Sequence, residues 1–382
     1  GKTDMKISGV LENFYGFMLK KQELKGNFNL QSNQFAVADF MTTEPTKSES
    51  KKPTEAVKIP AYLNCSLTAK ANTVLYDNLA LKNVSGKLII KDQKVTLENV
   101  KTDMFGGQIL ASGDVSTKEK VPTFKMNLGL KAVNIDQTFT QLEMLKKIAP
   151  IAEVITGKLN SNIKVEGNLT KEMTPDLNTL NGDLGGQLMA ATINPSNSQT
   201  LTKLSDSFKF IDLKKININD VKGMLTFQNG KVNIKPFDLK YQDVKMSIGG
   251  THGFDQSMNY NVKLDVPAKY LSYLGPDVNK LISKISPTDL SKLDNIPINA
   301  LLSGNFKSPK VTTDMKTGVT QLATQVAKQQ KDKLVKQGTN ALGDWINKNT
   351  KTDTTKTKSQ APVKEDIKKK AGDLLNGLFN KK

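Results

Sequence analysis

Three stretches of the chain repeat one pattern: a glycine, two apolar residues alternating with polar ones, a short polar turn, then two more apolar residues. The first copy is Gly26, Phe28, Leu30, Phe35 and Val37; the second is Gly86, Leu88, Ile90, Val95 and Leu97. The third is Gly223, Leu225, Phe227, Val232 and Ile234. Matching glycines lie 60 and then 137 residues apart (86 − 26 and 223 − 86), with no gap inside any copy. Period-two alternation interrupted by a turn predicts a β-hairpin with one apolar face. In the third copy Asn229-Gly230 is a residue pair suited to positive φ at both central positions of a two-residue turn. That turn sets Phe227 opposite Val232 and Leu225 opposite Ile234. The same register faces Ile90 with Val95, Leu88 with Leu97, Leu30 with Phe35 and Phe28 with Val37. A second hairpin is expected at Gly106-Gly107, setting Met104 against Ile109 and Thr102 against Ala111. At the same offset Tyr241 meets Met246 and Leu239 meets Ile248, so each full unit reads as a four-strand meander.

Apolar content of 37% suits strands that are apolar on one side. No run approaches the roughly 18 apolar residues of a membrane-spanning helix. The chain opens Gly1-Lys2-Thr3, and Met5, Ile7 and Gly9 already read as the end of a strand. It is therefore expected to be the C-terminal part of a longer protein. The formal charge of +18 is uneven, because residues 316–382 hold 15 Lys and 6 acidic residues, a net +9. Every basic residue is Lys. Nucleic-acid recognition favours the planar fork of Arg, so a nucleic-acid partner is not expected.

Little in the chain is suited to catalysis. His252 is the only histidine and is expected in a loop after the third repeat; Cys65, between Leu63 and Leu67, is expected to pack as a small hydrophobe. No metal-ligand spacing, nucleophile elbow or phosphate loop occurs. The expectation is a non-enzymatic protein with no catalytic residues, no metal and no cofactor.

The predicted fold is mainly β with a few helices: an elongated, twisted antiparallel sheet forming a groove from repeated hairpin units, with an amphipathic helical C-terminal tail. Its β-groove region is expected over residues 1–310, with a short helix within 11–20. Residues 42–58, rich in Pro, Ser, Glu and Lys, read as a flexible insertion. Phe139, Leu142, Leu145, Ile148 and Ile151 recur at helical spacing and predict a helix at about 134–156. Further helices are expected at 201–210 and near 278–285, and the last strand at Ile298 to Gly304. Residues 311–348 follow as an amphipathic helical segment, 349–363 as a disordered linker, and 364–382 as a basic amphipathic helix. In that last helix Ile367, Leu374, Leu378 and Phe379 supply an apolar stripe beside Lys368, Lys369 and Lys370, suiting an anionic membrane surface.

From Asn83-Val84-Ser85-Gly86 through Met104-Phe105-Gly106-Gly107-Gln108-Ile109, the chain resembles the C-terminal region of AsmA-family envelope proteins. The resemblance continues through 134–156, the glycine-rich 180–186 and the repeat from Val221, covering roughly residues 1–310. It departs where Asp243-Val244 stands in place of Gly106-Gly107. The resemblance implies a periplasmic body attached to the inner membrane of a Gram-negative envelope through an N-terminal helix that this chain lacks. It also implies, as in TamB-like relatives, a β-groove that conducts phospholipids between membranes in outer-membrane biogenesis, with envelope proteins as candidate further partners.

The residues point the same way. About fifteen strands at ~4.8 Å spacing make a sheet ~70 Å across before twist, too wide for the few predicted helices to cover. The expected lipid-lining residues are Phe28, Leu30, Phe35, Val37, Leu88, Ile90, Val95, Leu97, Leu225, Phe227, Val232 and Ile234. The alternative expectation is a periplasmic scaffold with a self-packed β core and a basic partner-binding tail.

Overall fold

The computed structural model describes residues 1–40, 58–283 and 285–349. The expected insertion at 42–58 (but for Lys58), the linker after Asn349 and the basic helix at 364–382 lie outside the described residues. The chain forms two compact units. The first comprises Gly1–Asp265 and Ile298–Asp314; the second comprises Val266–Pro297 and the chain from Met315 onward. The continuous body expected over 1–310 is thus interrupted at 266–297.

The fold is mainly β, and the described residues form a single sheet of 15 strands in chain order. The strands are β1 (Lys6–Glu12), β2 (Leu24–Ala36), β3 (Leu63–Tyr76), β4 (Leu79–Lys91), β5 (Lys94–Met104), β6 (Gly107–Ser116), β7 (Thr123–Asn134) and β8 (Ile155–Asn168). They continue as β9 (Asn181–Ile193), β10 (Lys222–Gln228), β11 (Lys231–Tyr241), β12 (Val244–Gly253), β13 (Ser257–Val266), β14 (Ile296–Asn305) and β15 (Ser308–Asp314). Every neighbouring pair from β3 to β13 is antiparallel. Five of these connections are two-residue turns whose first central residue is left-handed: Asp77, Asp92, Phe105, Asn229 and Gln242. That conformation matches the natural twist of the flanking strands.

The hairpins β4–β5 and β10–β11 have the predicted register: Leu88 faces Leu97, Ile90 faces Val95, Leu225 faces Ile234 and Phe227 faces Val232. The first repeat differs. Leu24–Ala36 is one strand, antiparallel to β1 and parallel to β3, so Leu30 and Phe35 point to opposite faces. Phe35 stacks on Phe40 with ring centroids 4.9 Å apart, and Val37 lies in a short 3₁₀ turn. The expected turn at 31–34 is unnecessary because its amides have partners in an extended chain. Asp4 Oδ1 accepts the backbone N–H of Asn33 at 2.8 Å and of Gln34 at 2.7 Å. Those bonds hold the Asp4 carboxyl below the usual carboxylate range, led by the one from Gln34. The parallel β2–β3 pair is open to this chain because residues 37–62 separate the strands, and a parallel connection needs a dozen residues or more.

The second hairpins exist with a register displaced by two. Met104 faces Gly107 and Thr102 faces Ile109; Tyr241 faces Val244 and Leu239 faces Met246. Turns at Phe105-Gly106 and Gln242-Asp243 replace those expected one residue later. An even displacement leaves every side chain on its expected face. The four-strand meander also contracts to three strands, since β5 and β11 each run through both hairpins. Each passes a bulge, between Leu97 and Val100 in β5 and between Ile234 and Phe237 in β11. The two bulges are 137 residues apart, the spacing of the repeat itself, and the partner strands carry Gly113 and Gly250 there, both at φ 149. A Cβ on Gly113 would run into the Lys125 carbonyl oxygen, and one on Gly250 into that of Asn259. Gly250→Ala is expected to lower stability by about 2 kcal/mol or more, from backbone strain of about 1–3 kcal/mol with steric overlap added. Gly113→Ala should show a similar fall in urea midpoint; unequal midpoints would argue against equivalent bulges.

Among the described residues the helices are fewer than the strands and, except for the last, short. They are α1 (Phe14–Lys20), α2 (Ile135–Gln141), α3 (Glu143–Ile148), α4 (Gln199–Ser207), α5 (Pro276–Ile282), α6 (Pro287–Leu290) and α7 (Lys316–Asn349). The helix expected at 134–156 is broken into α2, α3 and a 3₁₀ turn at Pro150–Val154, with β8 beginning at Ile155. Leu142 is extended between α2 and α3. Pro150 excludes its predecessor Ala149 from the α region, which ends α3. The predicted apolar stripe survives in part: Phe139, Leu145 and Ile148 are buried in one cluster with the strands and Leu142 packs against it, while Ile151 is exposed. The strand expected to be last is followed by β15, so the helix predicted from 311 starts at Lys316.

In the second unit, Leu322 and Val326 of α7 pack with Ala268, Leu271, Val278, Leu293 and Ile296. Leu334 is exposed, so the predicted stripe is not buried along its full length. Asp289 binds Lys333, Ser286 and Lys292, which hold its carboxyl well below the usual carboxylate range, Lys333 foremost.

Candidate functional site

The sheet register links the repeats in one row. Phe28 pairs with Leu67, Leu67 with Leu88, Leu88 with Leu97, and Leu97 with Gly113. The row runs on through Met126, Val165 and Gly182 to Phe227, Val232, His252 and Met258. Directly paired residues share a face. One row, apolar except at His252, therefore crosses the sheet from β2 to β13; Leu88 and Leu97 of the second hairpin and Phe227 and Val232 of the third occupy it. A parallel row through Val100, Ala111, Leu128, Ile163, Leu184, Leu225 and Ile234 lies beside it. Cys65 pairs with Ile90 on the same face, half-buried as a small apolar group would be.

Burial changes along this face. Phe28, Leu88, Ile90, Val95 and Leu97 are half-buried, while Leu30 is buried. Leu225, Phe227 and Val232 are sealed in the cluster that contains α2 and α3, with Phe227 2% and Val232 0% exposed. The glycine-rich stretch makes this fit possible. A Cβ on Gly182 would stand 2.7 Å from Cζ of the Phe227 ring, which lies over it. Of the twelve predicted lining residues, Phe35 and Val37 leave the apolar face, and Leu225, Phe227 and Val232 are core.

A cavity that no sequence pattern pointed to lies nearby in the same unit. Its volume is about 210 Å³, more than the ~150 Å³ engineered apolar cavity that takes up benzene. Its walls are the apolar side chains of β11–β13, including Phe237, Leu239, Met246, Ile248 and Val262, with Leu201, Leu204 and Phe208 at α4 and Ile211 to Val221 after it. Ile234, from the third repeat, is also in the wall. Two lining side chains carry hydroxyls, and both are engaged by protein. Thr200 donates to the Phe306 carbonyl at 3.4 Å, and the Tyr260 hydroxyl lies 2.7 Å from His252 Nδ1. Burial pushes the Tyr260 phenol well above its ordinary pKa. Ser198, whose hydroxyl accepts the Leu201 N–H at 3.3 Å, caps α4 and fixes where this wall begins.

His252 is a strand residue of β12, 3% exposed, and not part of a loop as its Gly-Thr-His-Gly setting suggested. The backbone extends there because β12 pairs with β11 on one side and β13 on the other. Its Nε2 lies 3.2 Å from the Lys147 carbonyl. A carbonyl only accepts, so Nε2 carries the hydrogen and Nδ1 accepts from Tyr260. Burial lowers the His252 pKa below its ordinary value, against the opposing pull of the Lys147 and Ile148 carbonyls. The neutral ring is thereby a structural tie between β12, β13 and the end of α3.

Among the described residues, no cluster of His, Cys, Asp and Glu is arranged to hold a metal ion, and no helix is long and apolar enough to cross a membrane. Comparison with protein-family models, with curated proteins and with solved structures finds no match to this chain.

Proposed function

We propose that the first unit binds the acyl chains of phospholipids on its apolar face and does so without catalysis, as an AsmA-like protein of the periplasm attached to the inner membrane and serving outer-membrane biogenesis. The observation that carries this reading is the row from Phe28 through Leu67, Leu88, Leu97 and Gly113 to Met126, which is half-buried at every position and crosses the sheet from β2 to β7 without a polar side chain. Half-buried Phe28, Leu88 and Leu97 leave apolar area for an alkyl chain to cover. Each methylene removed from water contributes about 0.8 kcal/mol, with no fixed polar contact along this path to select a headgroup. Gently purified protein is expected to carry phospholipid in native mass spectra. Leu88→Asp should lose most of it, because a charge in the path must be desolvated, while its melting temperature stays within a few degrees. Absence of lipid from the unsubstituted protein, or undiminished lipid in Leu88→Asp, overturns the reading.

A second reading is a scaffold whose face is closed by its own side chains. The sealed Phe227 and Val232, in one buried cluster with residues of α2 and α3, favour it locally. It expects lipid-free spectra and partner binding through the basic tail.

A further inference from the structure

A second, polar pocket of about 420 Å³ adjoins the apolar cavity, and the two share Ile151 and Phe306 as common walls. The polar pocket is lined by Lys146 and Lys147 from α3 and by Lys307 from the turn between β14 and β15. Glu153 is the one acidic residue in its wall, so the lining carries three positive charges against one negative. Lys147 Nζ also donates to the Phe254 carbonyl at 3.5 Å, which anchors that side chain at the pocket. All of these residues belong to the first unit.

We propose that the paired pockets form a site for an anionic amphiphile, its alkyl chain in the cavity beside α4 and its negatively charged headgroup among Lys146, Lys147 and Lys307. The inference rests on the acyl-binding reading and adds a headgroup preference that the open face does not supply. The physical logic is a division of labour between the pockets. The cavity's own hydroxyls are already hydrogen-bonded within the protein, so it offers the chain only apolar contact. The neighbouring lysines offer charge-assisted hydrogen bonds to a carboxylate or phosphate. An uncharged headgroup would gain no such contact and would leave the lysines no better paired. The same chemistry is presented by a free long-chain carboxylate and by an anionic phospholipid.

Titration calorimetry of the full chain with decanoate and with decan-1-ol at pH 7.5 separates chain binding from headgroup choice. Decanoate is expected to bind at least tenfold more tightly than decanol. In the Lys146→Gln/Lys307→Gln double variant that preference should fall below twofold, with thermal melting used to verify that the variant is folded. Leu204→Trp, which fills the cavity from α4, should abolish decanoate binding. Equal affinity for the two ligands, or a preference that survives the double variant, overturns the headgroup inference and leaves acyl binding standing. Binding of neither ligand removes acyl binding at this site and the inference with it. Undiminished decanoate binding to Leu204→Trp places the chain elsewhere and also overturns the proposal. Displacement of decanoate by soluble dihexanoylphosphatidylglycerol supports a lipid as the natural source; failure to displace supports a free carboxylate.

Discussion

Phe227→Asp is expected to abolish cooperative folding, whereas Leu88→Asp, on the same row in another repeat, leaves a folded protein. Phe227 is 2% exposed, paired with fully buried Val232, and its ring lies over Gly182. Truncating such a phenylalanine to Ala costs about 3–5 kcal/mol from lost contacts and the cavity left behind. Asp adds an unpaired charge in apolar surroundings, which costs several kcal/mol more unless the group protonates. The sum matches or exceeds the stability of a typical domain, about 5–15 kcal/mol. Leu88 is half-buried, so an Asp there remains accessible to water. Circular dichroism and urea unfolding of both variants decide the matter. A native-like midpoint for Phe227→Asp would mean that water reaches this part of the face, and the core there would have to be regarded as an open groove.

Acidification from pH 8 to pH 5.5 is expected to weaken the fold, and most of the loss should disappear in His252→Gln. Burial depresses the His252 pKa in the folded protein below the ordinary value of 6.5. The unfolded chain therefore takes up a proton at a higher pH than the folded chain does. Stability supplied by the neutral ring is complete above about pH 6.5 and is lost as pH falls through the folded pKa, by at most about 1.4 kcal/mol per pH unit. Protonation also places a hydrogen on Nδ1, where the Tyr260 hydroxyl now donates, so that bond must reverse. The chain has a single histidine, and carboxylates titrate lower, which leaves this window to His252 alone among the side chains. His252→Ala should cost about 2–4 kcal/mol even at pH 8. It leaves the Lys147 carbonyl and the Tyr260 hydroxyl without partners and opens a void. Urea midpoints measured across the range test both expectations. A midpoint independent of pH in the unsubstituted protein would show that His252 charges in place without penalty.

The repeats made the β architecture legible, and they did so through local signals. Alternation placed Leu88, Ile90, Leu225 and Phe227 on one face, and compact turns at Asp92-Gln93 and Asn229-Gly230 set their partners. The same signals misled where the alternation changed phase. Between Ile234 and Phe237 the apolar positions shift from even to odd numbers, and the sequence pattern suggests two hairpins with separate strands. The structure absorbs that shift in a bulge on one strand, with Gly250 opposite. Between Leu30 and Phe35 the same kind of phase change has no bulge to absorb it, so Phe35 turns to the other face. Nothing local distinguishes the two cases, because the choice depends on the strands that pair on either side.

By itself, then, the sequence determined which residues of the second and third hairpins share a face, where those two hairpins turn, and that the chain is mainly β. Only the tertiary structure decided what lies opposite that face. Leu88 and Phe227 belong to equivalent hairpins and lie on one row, yet one is half-buried and the other sealed. Phe227 belongs to one buried cluster with Phe139, Leu145 and Ile148 of α2 and α3, far away in the chain, and Leu88 does not. Alternation encodes the direction of a side chain relative to its own strand. Whether that direction meets a helix, a cavity or solvent is settled by long-range packing, which leaves no periodic trace in the strand itself.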